Sequence, residues 1–101
     1  MSWAEITRLA TPIDAPLRGT PFAYSFRFSF DPIIVELLKR HVPWQERAWD
    51  ADATCWYTTA AHLDTLRRLA LTCKDATLVE GNRTTDLHTG NTRTQLDLFG
   101  G

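Results

Sequence analysis

From Phe22 to Phe30 the side chains alternate without a break. Phe22, Tyr24, Phe26, Phe28 and Phe30 are aromatic, and Ala23, Ser25, Arg27 and Ser29 are small or polar. A strict period of two is the signature of a strand with one buried face, so this segment predicts a strand whose aromatic side covers a core. The next two residues end it. Asp31 can accept hydrogen bonds from the free N–H groups of a first helical turn, and Pro32 has the fixed φ that suits the first helical position. Ile34, Val35, Leu38 and Val42 then recur at helical spacing, with Glu36, Lys39 and Arg40 toward solvent, until Pro43 stops the helix.

The remaining body follows the same logic. Before the aromatic strand, Glu5 to Ala10 predicts a short strand, followed by an irregular lead-in rich in proline. Arg47 to Asp50 and Thr54 to Thr58 predict a hairpin around Ala51-Asp52-Ala53, with Trp49 and Trp56 as an aromatic cross-strand pair belonging to the core. Thr59 is expected to cap a second helix from Ala60 to about Cys73, striped by Leu63, Leu66, Ala70 and Cys73. Ala76 to Glu80 predicts a last strand, and Gly81 marks the expected break. The fold class expected is α+β, a small and mostly antiparallel sheet with two helices on one face and a flexible C-terminal tail. The division expected is a domain over 1–81 and a disordered tail over 82–101.

Composition narrows what such a body can do. The chain has 101 residues, 44% hydrophobic and 23% charged, which suits one small domain rather than a disordered protein. Its formal net charge is −1, so nonspecific attraction to nucleic acid has no global basic excess behind it. Any DNA contact must come from a local patch. No apolar run is long enough to span a bilayer, and the first residues carry no secretory pattern, so no membrane association and a cytoplasmic location are expected. Cys55 and Cys73 have neither metal spacing nor a secreted context, which predicts reduced thiols. His41, His62 and His88 have no zinc spacing, and no cofactor is expected. Cys55 and His62 lack a third orienting group, so the chain is expected not to be an enzyme.

The last stretch reads differently from the body. Asn82 to Thr94 is polar, yet it leads into Gln95, Leu96, Asp97, Leu98 and Phe99, the sequence QLDLF, before Gly100 and Gly101. Large apolar side chains on a polar tail imply that a partner supplies their pocket. All five residues resemble the bacterial sliding-clamp-binding motif, an extended segment that docks in a preformed groove of the clamp. The resemblance implies that Leu98 and Phe99 fill an apolar pocket, that Leu96 packs beside them and that Gln95 bonds in a polar subsite. The competing arrangement folds the tail back, so that Leu96, Leu98 and Phe99 cap the chain's own core.

The body carries a second resemblance. Phe26, Phe28, Asp31, Pro32, Ile34, Val35, Leu38 and Lys39, then Arg47, Trp49, Asp50, Trp56, Leu63 and Leu66, follow an order similar to the HARP domain, the accessory DNA-binding module of annealing helicases. Members of that family recognise branched or single-stranded DNA beside a motor domain. No Gly-x-x-x-x-Gly-Lys phosphate loop occurs here, so the resemblance implies binding without ATP-driven work. Candidate DNA contacts are Lys39, Arg40, Trp44, Arg47, Arg67 and Arg68, because cations neutralise phosphates and exposed indoles stack on bases. The function expected is a non-enzymatic replication or repair accessory protein. It would hold the bacterial DNA sliding clamp by its tail and forked or single-stranded DNA by its body. Two alternatives stay open: a phage- or plasmid-type inhibitor that plugs the clamp groove, and a ubiquitin-like or sulfur-carrier protein that uses the terminal Gly100-Gly101.

Overall fold

The computed structural model describes residues 2–13 and 21–94. The chain forms β1 (Trp3–Ile13), β2 (Phe22–Phe28), α1 (Pro32–His41), a 3₁₀ turn (Trp44–Glu46), β3 (Arg47–Asp50) and β4 (Cys55–Thr59). A second 3₁₀ turn (Ala60–His62) runs into α2 (Leu63–Ala70), followed by β5 (Asp75–Glu80), β6 (Arg83–Asp86) and β7 (Thr92–Thr94). The strands make one seven-stranded sheet in the order β3-β4-β2-β1-β5-β6-β7. All neighbours are antiparallel except β1 and β5, which run parallel.

The architecture is α+β, and connection geometry explains where the helices go. β2 leads through α1 to β3, and β4 leads through α2 to β5; each crossover joins strands that point the same way. The two crossovers start from oppositely directed strands and step in opposite directions along the sheet. With the right-handed sense that such crossovers take, both helices fall on the same face. The core agrees. Ala4, Ile6, Tyr24, Phe26, Ala76 and Leu78 come from that face of the sheet and meet Ile34, Leu38 and Val42 from α1 and its end. Leu66, Leu69 and Ala70 of α2 complete the contact. On the opposite face Glu5, Thr7 and Thr77 are half-buried and Arg27 is exposed, as is usual for a sheet covered on one side.

Asp31 performs the capping role expected of it: its Oδ1 accepts from the Ile33 N–H at 2.9 Å, with Pro32 opening the helix. The hairpin of β3 and β4 forms with Trp49 opposite Trp56. Other expectations are corrected. β1 is longer than Glu5 to Ala10, because its partners on both sides hold it from Trp3 onward. α2 is only eight residues long, and Thr59 does not cap it. Instead the Thr59 Oγ1 donates to Glu46 Oε1 at 3.3 Å. The boundary expected at Gly81 also moves. Gly81 has φ +63° and opens the two-residue turn between Glu80 and Arg83, so β6 and β7 extend the sheet as far as Thr94. Asp86 organises the next turn, its Oδ1 accepting from the N–H groups of His88 at 2.8 Å and Thr89 at 3.2 Å.

Candidate nucleic-acid interface

The two helices do not cover the whole face. α2 packs over β1, β2 and β5, and beyond α1 the sheet runs out to its β3 edge. There the aromatic face lies open. A groove of about 530 Å³ is bounded by Phe28 and Phe30, by Val35 and Lys39 of α1, and by Trp49 and Trp56. That size falls in the range of small-ligand sites. Phe30 is 88% exposed and Trp49 50% exposed, so the groove shows its rings to solvent rather than hiding them. Trp49 and Trp56 touch with ring centroids 5.4 Å apart and planes tilted by 52°. Lys39 Nζ stands 5.9 Å from the Trp56 ring centroid, within cation–π range.

The hairpin that carries Trp49 is held by polar contacts. Asp50 Oδ2 accepts from the Tyr57 hydroxyl at 2.9 Å, and Asp50 Oδ1 accepts from the N–H groups of Asp52 at 3.0 Å and Ala53 at 3.1 Å. These bonds, led by the one from Ala53, keep the Asp50 carboxyl below its ordinary value, and the same carboxylate pushes the Tyr57 phenol up. Arg27 Nη2 donates to Ala53 O at 3.0 Å and ties the hairpin loop to β2. Thr54, on the groove wall, has φ +55°, a left-handed conformation that costs a β-branched residue about 1–2 kcal/mol. Behind the hairpin, Cys55 is buried and unbridged, and burial raises its thiol.

The expected contact residues divide. Lys39 joins the groove. Arg47 lines no part of it: its guanidinium donates to the carbonyls of Val42 and Lys39, tying the end of α1 to β3. Arg40 pairs with Glu36 at 3.2 Å on the exposed side of α1. Trp44 is 65% exposed in the turn after α1, and Arg67 and Arg68 are exposed on α2, away from the groove lining. The expectation that Trp49 is a core residue is corrected, because no helix reaches over the β3 edge. Phe30 and Thr54 were not anticipated as groove residues. The signal for Phe30 was present: Asp31-Pro32 ends the sheet at Phe28, so the last aromatic of the series leaves the period.

The pentapeptide Gln95 to Phe99 and Gly100-Gly101 lie outside the described residues. Among the described residues there is no group of three or more His, Cys, Asp or Glu that could hold a metal ion, and no helix is long and apolar enough to cross a membrane. No family model, curated protein or solved structure matches this chain.

Proposed function

We propose that this protein is a non-enzymatic DNA replication or repair accessory factor of the cytoplasm, which holds the bacterial sliding clamp through Gln95 to Phe99 and DNA through its body. The observation that carries the reading is the pentapeptide QLDLF, which follows directly on Thr94, the end of β7. β7 is an edge strand of the sheet. The buried cluster around Phe26 draws its members from Ala4 to Leu78 among the described residues. Support for a DNA contact is the open aromatic groove with Lys39 at its rim, together with the resemblance of the body to HARP modules. Two modest contacts joined in one chain give useful avidity, so a net charge of −1 is no obstacle.

Calorimetric titration of purified clamp with the full chain tests the reading. A chain carrying Leu98→Ala and Phe99→Ala is expected to bind at least about tenfold more weakly, since buried anchors dominate such contacts. Equal binding by both chains would remove the proposal.

A further inference from the structure

The pentapeptide has no linker in front of it. β7 ends at Thr94 and Gln95 is the next residue, so the first side chain assigned to the clamp is one peptide unit away from the sheet. Resting on the clamp-tether reading, we infer that the β7 edge of the body makes a second contact on the clamp. Arg83 and Arg93 are set there against carboxylates of the clamp surface that borders the groove.

Covalent geometry carries the first step. Consecutive Cα atoms stand about 3.8 Å apart. With Gln95 bonded in its subsite, Thr94 is at the clamp surface, and β6 follows about 4.8 Å behind β7. A flexible linker would let the body swing clear. Here Thr94 is itself in the ladder, paired with Arg83, and Arg93 is paired with Thr84. The hairpin behind them is fixed by its own bonds. The Asp86 N–H donates to the Asn91 carbonyl at 2.8 Å, the Gly90 N–H donates to the Asp86 carbonyl at 2.7 Å, and the hydroxyls of Thr85 and Thr92 share a bond of 3.1 Å.

Exposure and charge give the chemistry of the surface that this edge meets. All three residues of β7 are exposed, and so is Arg83. Opposite residues of an antiparallel pair share a face and successive residues alternate. Arg93 and Arg83 therefore lie on opposite faces of the sheet, one on each side of the junction with the pentapeptide. Among the described residues neither guanidinium pairs with a carboxylate. The nearby acids are engaged elsewhere. Glu80, across the ladder from Arg83, stands 3.9 Å from Arg8, and Asp86 sits at the far end of the hairpin with Oδ1 held by the N–H groups of His88 and Thr89. Two unmatched cations astride the point of attachment fit an anionic surface and oppose a cationic one.

Titration of the clamp with full chains, free of DNA, tests the inference. Arg83→Glu combined with Arg93→Glu is expected to weaken clamp binding about threefold to tenfold, mainly through slower association, and to flatten its salt dependence. Arg83→Gln combined with Arg93→Gln is expected to fall between that chain and the wild type. Both side chains are exposed, so the fold is expected to survive, and circular dichroism checks it. An insertion of about six Gly and Ser residues between Thr94 and Gln95 frees the body from the clamp, and affinity is expected to drop about threefold or more. Unchanged or tighter binding after the insertion, or arginine variants that keep the wild-type affinity and salt slope, would overturn the inference. The Leu98→Ala, Phe99→Ala chain reads the tether separately. If it binds as the wild type does, the clamp reading itself falls. If it loses binding while the arginine and insertion chains keep theirs, the second contact alone falls.

Discussion

Asp50 is a small residue with three bonds to keep. Its carboxylate accepts from the Tyr57 hydroxyl and from two backbone N–H groups, and so sets the shape of the hairpin that presents Trp49. Its pKa is lowered from an ordinary value of 3.8, which means the folded chain favours the ionised form. The stability this contributes is present above 3.8 and is lost as pH falls through the lowered folded value. An acid titration followed by Tyr57 and Trp49 signals is expected to show the hairpin loosening below that range. Asp50→Asn is expected to flatten that part of the pH dependence. Thr54, the fourth residue of the turn, holds an unfavourable φ of +55°. Thr54→Asn is expected to raise stability by about 0.5–1 kcal/mol, because asparagine tolerates the left-handed region, and urea denaturation measures it.

Among the elements, those with strong local chemistry were legible in the sequence. The alternation from Phe22 to Phe28 gave β2, and Asp31-Pro32 gave the start of α1, because period and capping act over a few residues. Asp31→Ala is expected to cost about 1 kcal/mol, read by chemical denaturation, as the Ile33 N–H loses its acceptor. β6 and β7 were not legible. Arg83 to Asp86 and Thr92 to Thr94 bury little, so they show no apolar period, and their pairing comes from backbone bonds to a strand already in place. Gly81 carried the hint, since a glycine can end a fold or turn a hairpin, and its φ of +63° decides for the turn. Gly81→Ala is expected to destabilise by about 1 kcal/mol through backbone strain, for no atom lies within 4 Å of an added Cβ. The site was half legible. Lys39 belonged to a visible solvent stripe, but the period of β3 tells only which face Trp49 shares with the core. Whether a helix reaches that far depends on helix placement across the whole sheet.

At the scale of the molecule, the sheet separates two surfaces. The pentapeptide follows β7 in the sequence, and β7 and β3, the strand that carries Trp49, are the two edges of the sheet, six strand spacings or about 29 Å apart. On the proposed reading, a clamp bound at one rim leaves the other free to hold an unpaired strand nearby. The two bindings should therefore be close to independent, linked only through the tether. The most direct measurement titrates oligothymidylate into the protein alone and into the protein saturated with clamp. The account predicts one complex containing all three components, with strand affinity unchanged within about twofold by the clamp. A clamp that abolishes strand binding, or a strand that drives the protein off the clamp, would contradict it.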